Sequence, residues 1–261
     1  NKQNLLNANA FRLGVPGSGK SFGAKEEMVF IAISTDDDIL VCDPESEYGA
    51  LIDALGGQTI RIAAGSADHI NAMDMVEGSG DSKNPLIHKS EFILSLFEQL
   101  DRGKNLSVIE KGIIDNCVRS VYENHQSGGP LPTLAVLQDE LRQHRDKEAE
   151  GLAKALELFT KGSLNVFAHP TNVNTQSRLV VYDILNLGSQ LKTMGLLVIT
   201  DAMINRVSEN WKKGKRTHIF IDEMHVVFEN EFSSNFFSSA WRRFRKRNAY
   251  PTGLTQNVEY L

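Results

Sequence analysis

Short runs of hydrophobic residues, each ending at polar or glycine-rich positions, occupy the first and last thirds of the chain. Runs with this length and these boundaries predict buried β-strands. The predicted strands cover residues 9–13, 39–42, 58–62, 179–183, 217–222 and 250–255. Segments with helical character lie between several of these strands, at 22–34, 190–211 and 232–247. This alternation favours an α/β fold with a parallel central sheet.

The middle of the chain has a different pattern. From about residue 85 to residue 161, apolar side chains recur at spacings of three and four, as at Phe92, Leu96 and Leu100. This spacing places them on one face of a helix, and no strand pattern interrupts it. We therefore expect an all-helical subdomain of roughly 75 residues inserted into the α/β core.

Residues 14–21 have the sequence Gly-Val-Pro-Gly-Ser-Gly-Lys-Ser, which matches the phosphate-loop motif G-x-x-x-x-G-K-[ST]. The motif lies between a predicted strand and a predicted helix, which favours nucleotide binding over a glycine-rich turn that matches by chance. Glycines let the backbone wrap around a polyphosphate, and amides at a helix N-terminus supply donors. Lys20 would reach the β- and γ-phosphates of ATP, and the hydroxyl of Ser21 would bind Mg²⁺. The predicted nucleotide-binding residues are Pro16, Gly17, Ser18, Gly19, Lys20, Ser21 and Phe22.

Two adjacent carboxylates follow the predicted strand at 217–222. A buried strand would deliver Asp222 to the carboxyl edge of the sheet, where it could hold Mg²⁺ together with Ser21. Glu223 could orient or deprotonate an attacking water, which favours hydrolysis of a nucleoside triphosphate. The alternative is a strand end capped by solvated acids, which the phosphate loop makes the weaker interpretation. His225 is interpreted as a local packing or capping residue.

Gln256 follows the last predicted strand. If this strand lies next to the strand that ends at Asp222, the Gln256 amide faces the γ-phosphate, where it could sense phosphate or position water. The alternative is a glutamine in a surface loop. Gln256, Lys20 and Glu223 are therefore predicted catalytic residues.

A basic run on the last predicted helix has three candidate roles. It could be a solvated face, an arginine finger that reaches the nucleotide of a neighbouring subunit, or a contact with nucleic-acid phosphates. Helical spacing places Arg242 and Arg245 on one face and Arg243 and Arg247 on another. A second basic stretch, at 212–216, is interpreted as a solvated turn.

Composition excludes several classes of protein. Hydrophobic residues make up 41% of the chain and charged residues 23%, which excludes disorder as the main state. The net charge of −5 excludes a general nucleic-acid coat protein, so any such contact must use a local patch. Two cysteines, Cys42 and Cys117, exclude a disulfide framework and a cysteine-rich zinc fold. With so few cysteines and no signal-like start, we expect a reducing, cytoplasmic compartment. No apolar run approaches the roughly 20 residues that span a bilayer, so any membrane association would go through partners or missing segments.

Several further motifs occur along the chain in a recognisable order. Beside the phosphate loop and the Asp222-Glu223 pair, they are Asp-Pro-Glu-Ser-Glu-Tyr at 43–48, Gly-Gly at 56–57, Ile-Asn-Ala-Met-Asp at 70–74, Phe-Ala-His-Pro-Thr-Asn-Val at 167–173 and Thr-Gly-Leu-Thr-Gln-Asn-Val at 252–258. This series resembles the C-terminal motor domain of the VirB-four (CagE/TrbE/TraC) ATPases over nearly the whole chain. That family energises type IV secretion and conjugation and belongs to the HerA/FtsK group of RecA-like hexameric motors. Ala72 departs from the pattern, since proline is expected there.

The resemblance implies a RecA-like P-loop NTPase core with an inserted all-helical subdomain, in agreement with the hydrophobic pattern. Residues 1–84 would form the first part of the core with the phosphate loop, 85–161 the helical insertion, and 162–261 the second part. Because an α/β domain rarely ends on a loop just past a strand, we expect this second part to be C-terminally incomplete.

The resemblance also implies ATP hydrolysis between subunits, in a hexameric ring or in dimers, with basic residues supplied by the neighbouring copy. Arg243 and Arg245 are the best candidates for this role, and Arg178 is a weaker one. Glu45 and Glu47 would lie near the nucleotide or would turn the chain after a strand. Other inner-membrane and ATPase components of a type IV secretion machine would be partners and would hold the protein at the cytoplasmic face of the membrane.

Two alternative functions use the same fold and the same residues. One is a DNA-translocating, coupling-type motor of the FtsK/HerA group, which would bind DNA in a salt-dependent way through residues 242–247. The other is a nucleotide-gated assembly scaffold with little hydrolysis, which the intact Lys20, Asp222 and Glu223 disfavour. The sequence leaves contact with DNA open.

Overall fold

A computed structural model of the chain describes residues 9–15, 17–76, 85–100, 105–228 and 231–256. Each strand of its sheet begins and ends within one residue of the predicted bounds. The strands are β1 (Ala10–Leu13), β2 (Asp38–Asp43), β3 (Gln58–Arg61), β4 (Leu179–Asp183), β5 (Thr217–Ile221) and β6 (Ala249–Thr255). All neighbouring strands are parallel, which confirms the predicted α/β class.

Nine helices accompany the sheet in the described part of the chain. They are α1 (Lys20–Ser34), α2 (Gly49–Ala54), α3 (Pro85–Leu100), α4 (Val108–Gln126), α5 (Leu134–Gln143), α6 (Lys147–Ala155), α7 (Glu157–Thr160), α8 (Ser189–Lys212) and α9 (Glu231–Lys246). The sequence pattern predicts α1, α8 and α9 but not the short α2. None of the helices in the described segments is long and apolar enough to cross a membrane.

The strands are ordered β1-β6-β5-β2-β4-β3 across the sheet. Because they are parallel, their carboxyl ends meet at one edge. The strand β6 lies between β1 and β5, with Thr255 opposite Leu13 and Gly253 opposite Ile221. The segments that follow β1, β5 and β6 are therefore neighbours at this edge, where α/β proteins bind ligands.

The sheet belongs to the first of two compact units, which comprises Asn1–Ile62 and Asn174–Leu261. All residues of β2, β4 and β5 are buried. Parallel strands that are covered on both faces need apolar side chains in succession, which explains the uninterrupted runs in the sequence. The core of this unit includes Met28 and Ile31 of α1 and Val41 of β2.

The second compact unit, Ala63–Val173, contains α3 to α7. The helix α4 begins with a capping box, in which Ser107 Oγ accepts from the backbone N of Glu110 and the Glu110 carboxylate accepts from the backbone N of Ser107. This arrangement satisfies two amides that the start of a helix leaves unpaired. The predicted division at 84/85 and 161/162 stays a prediction; contacts within the chain divide it after residues 62 and 173 instead.

Two of the sequence motifs form a hydrogen-bonded junction in the second unit. The backbone N of Ala72 donates to the carbonyl of Phe167 at 3.1 Å, and the backbone N of Asn71 donates to Thr171 Oγ1 at 2.8 Å. The Asn71 amide also donates to Asp74 Oδ1 at 2.9 Å. Proline has no backbone N–H, so the bond to Phe167 depends on the alanine that departs from the family pattern.

Candidate active site

The loop between β1 and α1 has the backbone that a phosphate-binding loop requires. Gly17 and Gly19 have φ angles of 77° and 83°, in the left-handed region that favours glycine. A Cβ atom at Gly14 would lie 2.3 Å from Ser18 Oγ, so a larger residue there would have to displace the Ser18 side chain. No described side chain caps α1 at Gly19, and the first turn of α1 carries no acidic residue. Its first amides are therefore not used by a side-chain cap, which suits anion binding.

Lys20, the first residue of α1, bridges two carboxylates. Its Nζ donates to Asp222 Oδ1 at 2.9 Å and to Glu223 Oε1 at 3.3 Å. Burial disfavours the charged form, but the hydrogen bonds and charges of Asp222 and Glu223 outweigh it and raise the pKa of Lys20 above its ordinary value. Lys20 is therefore a fixed positive charge in the site.

Asp222 directly follows β5 and is 2% exposed. Its Oδ1 also accepts from the backbone N of Glu223 at 2.8 Å, and its Oδ2 accepts from the hydroxyl of Tyr48 at 2.7 Å. Burial, and then the charge of Asp222, raise the pKa of Tyr48, so the phenol stays protonated as the donor. Both carboxylate oxygens of Asp222 are thus held in place.

Glu223 adopts an unusual backbone conformation, with φ 49° and ψ 39° in the left-handed region. For a residue with a Cβ atom this costs about 1–2 kcal/mol, and such strain is typical of functional sites. The conformation places Glu223 Oε1 within reach of Lys20 and Oε2 at 3.2 Å from His225 Nδ1. His225 therefore contacts the predicted general base, which the sequence interpretation as a packing or capping residue missed.

Gln256 follows β6, the strand next to β5, so the condition for its predicted role is met. Its Nε2 donates to Glu223 Oε1 at 2.6 Å. His225 Nδ1 also lies 3.3 Å from the hydroxyl of Thr255 at the end of β6. The end of β6 thus supports Glu223 through both Gln256 and His225.

The segment between β2 and α2 completes the site. Asp43 at the end of β2 accepts from the backbone N of Glu47 at 3.0 Å and of Tyr48 at 2.8 Å, which folds the segment into a tight turn. Burial raises the pKa of Asp43, although these backbone hydrogen bonds act against the shift. Glu45 forms an ion pair with Lys192 at 2.9 Å, so it fastens the turn to α8.

A cavity of about 420 Å³ opens between the phosphate loop and these side chains. It is lined by Val15, Gly17, Ser18, Gly19, Lys20, Ser21, Phe22, Glu45, Glu47, Asp222, Glu223 and Gln256. Pro16, also predicted to bind nucleotide, lies outside the described residues. Hydroxyl and carboxylate oxygens from Ser21 and Asp222 are the ligand type that Mg²⁺ prefers, and the glycine loop suits a polyphosphate. The residues present therefore fit the polyphosphate of a nucleotide together with Mg²⁺.

The predicted arginines are not part of this cavity. Arg243 and Arg245 lie on α9, and Arg245 lines a separate groove of about 670 Å³ together with Arg242 and Trp241. Their predicted role concerns the nucleotide of a neighbouring copy and stays a prediction.

Arg178, the weaker candidate for a role at a neighbouring nucleotide, donates to the backbone carbonyls of Ala32 at 3.0 Å and of Asp37 at 3.1 Å, so it holds a loop within this chain. Its role at a neighbouring copy stays a prediction.

The interpretation of 212–216 as a solvated turn is wrong for Arg216, which pairs with Asp37 at 3.0 Å. It is also wrong for Lys215, which forms an ion pair with Asp38 at the amino edge of the sheet. The buried carboxylates of Asp37 and Asp38 attract these basic side chains. The sequence alone does not show that these acids and bases are partners.

Comparison with solved structures identifies the fold. VirB4 of Thermoanaerobacter pseudethanolicus matches 98% of this chain and 71% of its own, with a TM-score of 0.82 and 23% sequence identity. The fold is that of VirB4. The resemblance predicted from the motifs is thereby confirmed at the level of the fold, including its RecA-like sheet.

TrwB, a bacterial conjugative coupling protein, shares the fold less closely. Its structure has a TM-score of 0.59 and 13% identity over 97% of this chain, which spans 63% of the TrwB chain. TrwB has also been solved with the GTP analogue GDPNP and with ADP and Mg²⁺, each at a TM-score of 0.58 and 13% identity over 97% of this chain; the matches cover 64% and 65% of those TrwB chains. No protein-family model and no curated protein matches the chain.

Proposed function

We propose that this chain is an ATP-hydrolysing motor domain that energises a type IV secretion or conjugation machine. The observation that carries the proposal is the convergence of Lys20, Asp222, Glu223 and Gln256 on one cavity beside the phosphate loop. The greater likeness to VirB4 than to TrwB favours this motor over a coupling-type DNA motor.

In this proposal, the loop binds the phosphates of ATP. Backbone amides at the start of α1 would donate to phosphate oxygens, and Lys20 would give up part of its contact with the carboxylates to reach them. Ser21 and Asp222 would hold Mg²⁺, which neutralises charge on the phosphates when it is bound. The paired carboxylates keep the Lys20 ammonium close to the loop before the nucleotide arrives.

Glu223 would take the proton from the attacking water. Its two carboxylate oxygens contact Gln256 on one side and His225 on the other, so its orientation is fixed before the reaction. A general base needs this control of direction as well as a suitable pKa. Gln256, a neutral amide at the same oxygen, would position the water or respond to the γ-phosphate.

The proposed partners follow from the same family likeness. Copies of this chain would assemble into a ring or dimers, with Arg243 or Arg245 reaching the nucleotide of the neighbouring copy. Other components of the secretion machine would hold the assembly at the cytoplasmic face of the membrane. Turnover per chain that rises with protein concentration would support assembly; turnover that is independent of concentration would count against it.

The test is Mg²⁺-dependent release of phosphate from ATP by the wild-type chain and by Glu223→Gln. The variant keeps the size of the side chain and removes the proton acceptor. We expect turnover to fall by about 10²- to 10⁴-fold, the usual contribution of a general base, while ATP affinity changes little. Glu209→Gln serves as the matched control, because Glu209 lies on α8, hydrogen-bonds to Gln176 and does not line the cavity.

Two outcomes would contradict the proposal. Full turnover in Glu223→Gln would remove Glu223 from the reaction. ATP-dependent assembly of the wild-type chain without phosphate release would favour the nucleotide-gated scaffold instead.

A further inference from the structure

We propose that Tyr48 is a positioning residue for the metal site, which it serves by fixing the carboxylate of Asp222. The proposal rests on the proposed function, since it assigns to Tyr48 a part in holding Mg²⁺ at that same site. Neither the phosphate-loop motif nor the two acids after β5 point to a tyrosine.

The geometry places the phenol of Tyr48 on one oxygen of the metal-binding carboxylate. Its hydroxyl donates to Asp222 Oδ2 at 2.7 Å, while Lys20 and the backbone N of Glu223 donate to Oδ1. Within the described part of the chain, the Tyr48 hydroxyl is the hydrogen-bond donor to Oδ2. A carboxylate held at both oxygens has a fixed plane, so its lone pairs keep one direction toward the cavity.

Tyr48 does not line the cavity beside the phosphate loop, so it acts through Asp222 rather than on the nucleotide. Its side chain is 0% exposed and packs in the core with Met28 of α1 and Ile52 of α2. Residues that orient a metal ligand from behind in this way commonly alter metal affinity when they are changed.

The chain fixes Tyr48 from two directions. Its backbone N donates to Asp43 Oδ2 at 2.8 Å, which ties it to the end of β2. The ammonium of Lys25 on α1 lies 5.5 Å from the centre of the Tyr48 ring. Tyr48 therefore links the end of β2 to the end of the neighbouring strand β5. These contacts keep its hydroxyl within hydrogen-bond distance of Asp222.

The test compares Tyr48→Phe with Tyr182→Phe in the full chain. Tyr182, on β4, is also 0% exposed, and its hydroxyl has no hydrogen-bond partner among the described residues. Each variant removes one buried hydroxyl and keeps the ring, so the pair separates the contacts of the Tyr48 hydroxyl with Asp222 and Ser21 from the general effect of losing a phenol oxygen.

The readout is ATP binding, measured by calorimetry with EDTA and over a range of Mg²⁺ concentrations, together with thermal unfolding. For Tyr48→Phe we expect unchanged affinity in EDTA and a rise of about 10- to 100-fold in the Mg²⁺ concentration needed for half of the metal-dependent gain in affinity. We expect Tyr182→Phe to match the wild-type chain in its ATP affinity in EDTA and in its Mg²⁺ dependence.

Three results would overturn the proposal, and they are distinguishable. Equal Mg²⁺ dependence in Tyr48→Phe and the wild-type chain would remove the role of Tyr48 and leave the proposed function intact. Parallel losses in EDTA and in Mg²⁺, with a lower unfolding temperature, would show a role in folding alone. A wild-type chain whose ATP binding does not respond to Mg²⁺ would overturn the proposed function, and the role of Tyr48 with it.

Discussion

The amino and carboxyl edges of the central sheet both bury a pair of adjacent acids, but they balance the charge differently. At the amino edge, Asp38 accepts from Arg206 Nε and Nη2 at 3.0 and 2.7 Å and forms an ion pair with Lys215. Asp37 forms an ion pair with Arg216 at 3.0 Å. Two acids therefore face three lysine and arginine side chains, and the imidazole of His218 also lies 3.1 Å from Asp37 Oδ2.

At the carboxyl edge, Asp222 and Glu223 share one lysine, Lys20, among the described residues. The other side chains that contact this pair are the phenol of Tyr48, the amide of Gln256 and the imidazole of His225. The cluster also opens to the cavity beside the phosphate loop, whereas Asp38 is 0% exposed.

This difference in charge balance indicates that the amino-edge cluster stabilises the fold, whereas the carboxyl-edge cluster is suited to binding a ligand. Charges that are matched inside the protein stay buried because each has a partner, and breaking one pair is costly. Excess negative charge beside a phosphate loop suits a ligand that brings its own cation. The same strands, β2 and β5, therefore carry a structural cluster at one end and a binding cluster at the other.

The largest expected effect is on the stability of Asp38→Asn. Removing the charge leaves the buried Arg206 without its acid and also breaks the ion pair with the half-buried Lys215, which costs about 3–5 kcal/mol of unfolding free energy. Urea denaturation measures it, with Asp36→Asn, an exposed neighbour, as the control that we expect to change by less than about 0.5 kcal/mol. A loss below about 1 kcal/mol in Asp38→Asn would show that the amino-edge cluster is not structural.

Lys20→Met should have an intermediate effect on stability, about 1–3 kcal/mol, because it removes hydrogen bonds to two charged groups that face a cavity. ATP affinity should fall as well. Since the folded-state pKa of Lys20 is raised, its stabilising contribution is complete below the ordinary value of 10.5 and is lost as the pH rises through the raised pKa.

Urea denaturation of the wild-type chain and Lys20→Met should therefore give a constant difference near neutral pH that shrinks in strongly alkaline solution. The control is Lys154→Met, which removes an exposed ion pair with Glu150 and should change stability much less. A difference that grows with pH would contradict the raised pKa.

Asp222→Asn should have the smallest effect on stability, about 1 kcal/mol or less in either direction. It removes one of two like charges that share Lys20, which offsets the loss of the hydrogen bonds that Lys20 and the backbone N of Glu223 donate to Oδ1. The amide oxygen can still accept from Tyr48. Mg²⁺-dependent ATP binding should nevertheless be lost. Equal losses of stability in Asp222→Asn and Asp38→Asn, measured by urea denaturation, would contradict the distinction between the two edges.

Much of the α/β unit could be predicted because its signals are local. Fully buried parallel strands require consecutive apolar residues, so β2, β4 and β5 are visible as runs. The phosphate loop is visible because its glycines occupy left-handed conformations, as at Gly17 and Gly19. The short α2 was missed because a helix of 6 residues has too few turns to show a period.

The amino-edge cluster shows where prediction from sequence fails. Lys215 and Arg216 look like ordinary solvated residues, because Asp37 and Asp38 lie far away in the chain. The chemistry of a charged residue depends on which charges face it, and that is set by the pairing of β2 with β5.

The parallel α/β class, the helical segment at 85–161 and the residue types of the candidate site could be predicted from the amino-acid sequence, because periodicity and motif spacing act over a few residues. The position of β6 between β1 and β5, which brings Gln256 to Glu223, and the contact of Tyr48 with Asp222 became visible in the folded chain alone. Strand order and side-chain contacts between distant segments depend on how the whole sheet packs, and local pattern does not record that.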